Sequence, residues 1–211
     1  MSADLLHLVR HGEVENPDGI LYGRLPNFGL SERGHRMAAL AAESLRGRPV
    51  ASLFASPLQR AQESAAPWST GFELPIVTEE RIIEPTNLFE GGRMSARRIV
   101  TTPSEWAWVR NPWLPSWGEP YLQVAARMFA AMDEAWNAAP AGEVVMVSHQ
   151  MPIVMVARTV ARRRLAHDPR QRRCALSSIT TLQRRDGRWI EVGYQEPAAS
   201  LLKDAIDTGA V

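Results

Sequence analysis

Residues 5–12 read Leu-Leu-His-Leu-Val-Arg-His-Gly, an apolar run that ends abruptly in two polar side chains and a glycine. A short apolar run of this kind predicts a buried strand over residues 5–9, and Gly12 marks a turn directly after it. Ligand sites in open α/β sheets gather at the carboxyl ends of the strands. The stretch therefore predicts that Arg10 and His11 lie at such an edge.

Strand-like and helix-like patterns alternate along the rest of the chain, which is typical of an α/β fold. Further strands are predicted at 50–55, 74–77, 143–147, 179–182 and 189–194, the last two joined by an Asp186-Gly187 turn. Helices are predicted over 31–46 with Ser31 as N-cap, from Ser56-Pro57 to a stop or kink near Pro67, over 121–137, and from near Pro152.

The length and composition favour one well-filled domain. The chain has 211 residues, of which 45% are hydrophobic, so we expect a single domain over 1–211. A formal net charge of +1 argues against a dedicated nucleic-acid binder. The tail after residue 197 is expected to be loosely held.

A segment rich in tryptophan and proline, at about 91–120, is interpreted as an insertion between sheet elements. It holds four of the seven tryptophans, and packing is their more common role. The alternative hypothesis is that they form aromatic walls of a substrate pocket. The four are Trp106, Trp108, Trp113 and Trp117.

Cysteine usage and apolar runs point to a cytoplasmic protein. Cys174 is the only cysteine, so no intramolecular disulfide is available, and a buried structural thiol is expected. The first ten residues lack the pattern of a secretory leader, and no apolar run approaches the ~20 residues that span a bilayer. The histidines lack metal-ligand spacing, which predicts no metal.

Basic residues cluster at 162–164 and 170–173. This run suggests a basic patch, but a solvated helix end with local salt bridges is the more common arrangement. His35 and His167 are likewise expected to be solvated.

Three of the predicted strands are followed by residues that suit a phosphate. Arg10 and His11 follow the first strand, the segment 56–60 with Arg60 follows the second, and His149 follows the strand at 143–147. Arginine forks and helix N-termini at one sheet edge attract an anion. Two arginines and two histidines meeting there would make a pocket for a phosphoryl group.

These motifs resemble those of the histidine phosphatase superfamily, also called phosphoglycerate mutase-like. The resemblance lies in Leu8-Val9-Arg10-His11-Gly12-Glu13, Leu30-Ser31-Glu32-Arg33-Gly34, Ser56-Pro57-Leu58-Gln59-Arg60-Ala61 and Val147-Ser148-His149, which stand in the family's order. It implies a three-layer α/β/α sandwich with a mostly parallel central sheet and no cofactor.

The resemblance also assigns roles to residues. It implies that His11 is the nucleophile that becomes phosphohistidine, and that Arg10, Arg60 and His149 clamp the phosphoryl oxygens. A neutral imidazole is available near neutral pH, and its second nitrogen needs an acceptor, for which a backbone carbonyl is one candidate. Phosphoryl transfer asks mainly for positioning and charge stabilisation.

A proton donor for the leaving oxygen is also required. The segment Ile82-Ile83-Glu84-Pro85-Thr86-Asn87-Leu88-Phe89-Glu90-Gly91 resembles the family's acid-bearing stretch, which makes Glu84 the first choice. Glu80 and Glu90 remain alternatives.

Four further residues lie at, or one position from, places where family members contact substrate. Asn16 follows His11 by five residues, where the family often places an asparagine six residues after its histidine. The other three occupy a stretch that often touches substrate in the family. They are Tyr22, Gly23 and Arg24.

The sequence therefore predicts a phosphomonoester hydrolase acting through a phosphohistidine on a small phosphorylated metabolite. A phosphoglycerate mutase-type isomerase is the alternative, although the longer proline-rich insert of those mutases is not found here. A non-catalytic phospho-ligand-binding protein is the second alternative. No nucleic-acid or membrane partner is expected, and the sequence leaves a homodimer open.

Overall fold

A six-stranded sheet organises the chain, in the spatial order β3-β2-β4-β1-β5-β6. The computed structural model describes residues 2–87, 90–92, 118–139 and 141–207. The strands are β1 (Leu5–Arg10), β2 (Val50–Ala55), β3 (Ile76–Thr78), β4 (Glu143–Ser148), β5 (Ile179–Arg185) and β6 (Arg188–Gln195). The helices are α1 (Glu32–Glu43), α2 (Gln59–Phe72), α3 (Tyr121–Ala138), α4 (Gln150–Val160) and α5 (Ala199–Leu202), with 3-10 turns at Glu80–Ile82 and Pro169–Gln171.

The sheet is parallel through its centre and antiparallel at one side. β1 and β2 both pair in parallel with β4, and β3 pairs in parallel with β2. β5 runs antiparallel to β1, and β6 antiparallel to β5. The prediction of a mostly parallel sheet is confirmed for β1 to β4.

Helices cover both faces of this sheet. α1 and α2 share one apolar cluster with residues of β1, β2 and β4 such as Val9, Leu53 and Val145. α3 and α4 pack on the opposite face, against Leu8 and Met146. Alternate residues of β1 and β4 thus point to opposite layers, as strand geometry requires. The α/β/α sandwich is confirmed.

Two local signals have the predicted structure. The Ser31 hydroxyl accepts a hydrogen bond from the Gly34 N–H at 3.0 Å, so Ser31 is the N-cap of α1. Asp186 and Gly187 join β5 to β6 with φ angles of 50° and 73°. A two-residue hairpin turn of this type needs positive φ at both positions.

The prediction for α2 is wrong at both ends. The helix begins at Gln59 rather than at Ser56-Pro57, and its N-cap, Leu58, makes no side-chain capping bond. It also continues through Pro67 to Phe72. A helix-interior proline costs about 3 kcal/mol, and the buried packing of Trp68 and its neighbours on the sheet offsets that cost.

The tail differs from the prediction as well. It was expected to be loosely held after residue 197, yet Ala198 is buried beside Met37 and Leu176. The Ile206 N–H donates to Glu13 Oε1 at 2.7 Å, which brings the tail back to the loop after β1. Of the tryptophan-rich segment, 93–117 lies outside the described residues, including all four of its tryptophans.

Candidate active site

The ends of three parallel strands lie level with one another. Arg10 is the register partner of Ser148, and Ala55 that of Val147. The residues after these ends also pair, since the His11 N–H donates to the Ser148 carbonyl at 3.1 Å. This register brings the segments that begin at His11, Ser56 and His149 to one sheet edge.

The loop after β1 is pressed against α1 and α2. A Cβ on Gly12 would lie 2.4 Å from the Gly34 carbonyl oxygen, so no larger residue fits there without moving backbone. The Gly12 N–H donates to Ser64 Oγ at 3.0 Å. The glycine that follows His11 is therefore a packing requirement, and it holds the histidine close to α2.

His11 is held as a neutral imidazole with one free nitrogen. Its Nδ1 lies 2.7 Å from the Gly12 carbonyl oxygen, which can only accept, so the proton is on Nδ1 and Nε2 keeps its lone pair. Burial, together with the charges of Arg60 and Arg10, lowers the pKa of His11 well below 6.5. The lowered pKa and the free Nε2 favour an unprotonated ring at neutral pH.

His149 lies beside it, with ring centroids 5.2 Å apart. Its Nε2 is 2.7 Å from the Ser56 hydroxyl, and its Nδ1 is buried. Burial, with Arg60 and His11, lowers the pKa of His149 well below 6.5. When the Ser56 hydroxyl donates a hydrogen bond to Nε2, the ring proton is on Nδ1. This N–H can then donate a hydrogen bond to an anion. Ser56 is a site residue that the sequence analysis missed as such.

Three buried donors around His11 lack a hydrogen-bond partner among the described residues. They are Arg10 Nε, Arg60 Nε and His149 Nδ1. A buried polar group without a partner costs about 1–3 kcal/mol, and all three belong to side chains whose charge or ring acts on His11. Arginine and histidine donors of this kind are suited to bind an oxyanion.

Arg10 is fully buried, and acceptors on two other residues fix its guanidinium group. Its Nη1 donates to the Cys174 carbonyl at 2.7 Å and to Asp207 Oδ2 at 2.8 Å. Its Nη2 donates to the other oxygen of Asp207. The sequence analysis missed Asp207, because it lies 197 residues from Arg10 and carries no local signal.

Arg60 is oriented by the loop of residues 22–24. Its Nη2 donates to the Gly23 carbonyl at 2.7 Å, and its guanidinium lies 4.7 Å from the centre of the buried Tyr22 ring. Gly23 has a φ of 39°, and a Cβ there would collide with the Glu90 side chain. Tyr22 and Gly23 thus hold Arg60 in place.

Glu84 lies closest to the histidines of the three candidate acids. It is buried, and its Oε2 is 3.9 Å from His149 Nδ1. Burial raises the pKa of Glu84, against the opposing charges of Arg60 and Arg10. A carboxyl group whose pKa is raised retains its proton to higher pH, as a general acid requires.

The other two acids are placed less well. Glu80 is exposed on the 3-10 turn before Glu84. Glu90 accepts a hydrogen bond from the Asn87 N–H at 3.1 Å, and its side chain packs against the backbone of Gly23. The geometry therefore favours Glu84 as the proton donor.

Arg24 and Asn16 contact the backbone near the site. Arg24 Nε donates to the Glu84 carbonyl at 2.6 Å, so it fixes the acid-bearing segment. The Asn16 amide hydrogen-bonds both the N–H and the carbonyl of Ile20, at 3.0 and 2.8 Å. These bonds close the loop of residues 16–20, and contact of Asn16 with substrate stays a prediction.

Cys174 is a buried thiol, as expected. Burial raises its pKa to about 11, so the thiolate is scarce at neutral pH. Its contribution to the site is the backbone carbonyl that accepts from Arg10.

The Asp207→Asn substitution is expected to lower kcat/KM about tenfold and to weaken inhibition by inorganic phosphate to a similar degree. The reason is that a charge-assisted, bidentate contact orients Arg10 Nε toward the anion. Steady-state kinetics with phosphate as inhibitor measures both effects. Asp204→Asn, an exposed side chain on the same tail, is the matched control. Tighter phosphate binding by Asp207→Asn would instead mean that Asp207 competes with the anion.

Comparison with known proteins agrees with this geometry. The family model of the histidine phosphatase superfamily (branch 1) matches residues 6–197. The chain belongs to the histidine phosphatase superfamily. It is an enzyme of the phosphatase or mutase kind, and proteins of this superfamily act on small phosphorylated substrates.

Relatives at three levels of similarity support the assignment. The uncharacterized protein Rv0525 of Mycobacterium tuberculosis is 48% identical over 92% of this chain and 96% of its own length. Phosphoserine phosphatase 1 of Hydrogenobacter thermophilus is 32% identical over 70% of this chain and 72% of its own. The structure of mycobacterial glucosyl-3-phosphoglycerate phosphatase Rv2419c is similar with a TM-score of 0.73, 27% identity, and coverage of 90% and 97% of the two chains.

Within the part of the chain that the structure describes, no helix is both long and apolar enough to cross a membrane.

Proposed function

We propose that this chain is a phosphomonoester hydrolase in which His11 carries the phosphoryl group between two transfer steps. One observation carries the proposal: His11, with an unprotonated Nε2, is accompanied by three buried donors that lack partners among the described residues, and the Glu84 carboxyl group lies 3.9 Å from one of them. Donors in this arrangement stabilise charge on the equatorial oxygens of a transferring phosphoryl group.

In the first step His11 Nε2 attacks phosphorus as the ester P–O bond breaks. The Glu84 carboxyl group gives its proton to the leaving oxygen, which departs as an alcohol. Arg10 and Arg60, with His149 Nδ1, hold the three equatorial oxygens. The products of this step are a phosphohistidine at residue 11 and an ionised Glu84.

In the second step a water molecule attacks phosphorus and the P–N bond breaks. The Glu84 carboxylate accepts a proton from that water, which restores its protonated form and releases inorganic phosphate. His11 Nε2 recovers its lone pair, while the Gly12 carbonyl keeps the other ring nitrogen protonated. The same carboxyl group thus acts as acid and then as base.

Hydrolysis is favoured over isomerisation because the longer proline-rich insert of the mutases is not found in the sequence. A buried carboxyl group with a raised pKa argues against a protein that only binds phosphate. Metal-independent turnover of the histidine acid phosphatase type, a cytoplasmic location and a homodimer stay predictions.

The test is a substrate survey in the presence of a chelator. We expect release of inorganic phosphate from p-nitrophenyl phosphate and from at least one of a panel of phosphorylated metabolites. Isomerisation of 3-phosphoglycerate without phosphate release would show a mutase instead. Binding of inorganic phosphate without turnover of any ester would leave the non-catalytic alternative.

A further inference from the structure

One arginine of the basic run at 170–173 is half-buried and hydrogen-bonded to the residue that follows His149. Arg172 is half-buried, and its Nη1 donates to Gln150 Oε1 at 3.0 Å. Its Nε donates to His167 Nε2 at 3.0 Å. His167, which was expected to be solvated, is half-buried, and so is Arg172 of the arginine run.

One side chain, that of Gln150, lies between Arg172 and the proposed phosphate clamp of Arg10, Arg60 and His149. Its partner Gln150 directly follows His149, and the Gln150 amide nitrogen lies 3.5 Å from the Cys174 carbonyl. That carbonyl is also an acceptor for Arg10 Nη1. The charges of Glu84 and Arg10 both influence the pKa of Arg172. Contacts through the Gln150 side chain and the Cys174 carbonyl thus connect the Arg172 guanidinium to Arg10.

Both hydrogen-bond partners of Arg172 are neutral. His167 Nδ1 is 2.6 Å from the Leu165 carbonyl oxygen, so that nitrogen carries the proton and Nε2 can accept from Arg172. Burial lowers the pKa of His167, a direction that favours the neutral ring. The Gln150 amide carries no charge either. Neither contact compensates the positive charge of Arg172.

No carboxylate among the described residues forms an ion pair with Arg172, and none of these residues accepts a hydrogen bond from its Nη2. Other arginines nearby do have such partners. Arg173 pairs with Glu191, while Arg24 and Arg127 share Glu119. Glu84 favours the charged form of Arg172 but makes no ion pair with it. A half-buried guanidinium without an anion is unfavourable and is suited to bind one.

We infer that Arg172 binds a second anionic group of the substrate, a carboxylate or a second phosphate, while the clamp around His11 holds the reacting phosphoryl group. The inference rests on the proposed function and adds a substrate class: phosphomonoesters with a second negative charge a few bonds from the scissile oxygen. The Tyr121 ring lies beside the same group of residues, with its centroid 6.1 Å from that of His167, the acceptor for Arg172 Nε.

Matched substrate pairs test the inference. Phosphoserine and phosphoethanolamine differ only by a carboxylate, and fructose 1,6-bisphosphate and fructose 6-phosphate differ by a second phosphate. We expect the native enzyme to prefer the more acidic member of one pair by about tenfold to a hundredfold in kcat/KM, the effect of one charge-assisted contact. The pair that shows the preference identifies which anion Arg172 binds.

Variants then assign the preference to Arg172. Arg172→Gln is expected to reduce that ratio to about two, while Arg172→Lys keeps part of it because the charge remains. Arg173→Gln, an exposed neighbour that pairs with Glu191, should leave the ratio unchanged. A native enzyme without preference in either pair would overturn the inference. So would equal losses of Arg172→Gln on both members of a pair.

A binding measurement separates this inference from the proposed function. The His11→Ala variant cannot turn over substrate by the proposed route, so calorimetry can compare its affinity for the two members of each pair. Preference for the acidic member in His11→Ala, lost in His11→Ala/Arg172→Gln, supports the subsite even if no hydrolysis is found. Turnover of p-nitrophenyl phosphate together with equal affinities would leave the proposed function standing and remove the subsite.

Discussion

Replacing His11 with alanine is expected to lower kcat for phosphate release by at least about four orders of magnitude, because the variant lacks the group that is proposed to form the covalent intermediate. Nδ1 hydrogen-bonds the Gly12 carbonyl, so Nε2, the proposed attacking atom, is the nitrogen left with a lone pair. Since the pKa of His11 is well below 6.5, the nucleophile should remain unprotonated throughout the neutral range.

The intermediate itself provides the sharper measurement. Rapid quenching of native enzyme with labelled substrate should trap an acid-labile phosphoprotein whose label maps to the peptide that contains His11. The His35→Ala variant, which removes an exposed histidine, should retain both label and turnover. A label that persists in His11→Ala, or that maps to His149, would contradict the assignment.

Replacing Glu84 with glutamine is expected to lower kcat/KM for alkyl phosphates by about 10²–10⁴-fold, the usual contribution of a general acid. Glutamine keeps the size and polarity of the side chain but has no proton to transfer. The loss should be much smaller for p-nitrophenyl phosphate, because its leaving group is a weak base that departs without protonation. Comparison of the two substrates isolates the role of Glu84 as acid from any role in binding.

The pH profile gives an independent readout. Glu84 must be protonated for the first step, so kcat/KM should fall as the pH rises through the pKa of Glu84, which burial places above 4.5. This high-pH limb should be absent from Glu84→Gln. Glu80→Gln, on the exposed 3-10 turn, should retain the native profile. An unchanged limb in Glu84→Gln, or a comparable loss in Glu80→Gln, would move the acid role to another residue.

Most of the phosphate pocket could be predicted from the sequence because its residues follow buried strands. The apolar run before Arg10 and the one before His149 each identify a strand, and parallel strands in one sheet present their carboxyl ends at the same edge. Local capping could also be predicted, since the Ser31 hydroxyl caps α1 by accepting from the Gly34 N–H three residues later. Each of these signals is complete within a few residues of chain.

Predictions failed where a distant contact outweighed a local preference. Pro67 is a helix breaker by its own chemistry, yet α2 passes through it because the helix face beside it is buried on the sheet. Ser56 was expected to start that helix, but its hydroxyl contacts His149 instead. In both cases a contact with residues distant in the chain decided the local structure. The neighbouring sequence carries no signal for such a contact.

What the sequence by itself determined is the family's α/β/α architecture and the group of His11, Arg10, Arg60 and His149, because short-range patterns encode strands and their polar ends. The tertiary structure decided which acid lies next to the histidines, how Asp207 fixes Arg10, and that Arg172 is half-buried without an ion-pair partner among the residues that the structure describes. These features depend on residues far apart in the chain. Burial removes water from their polar groups, so each group needs a partner from elsewhere in the fold, and the sequence does not show which partner that is.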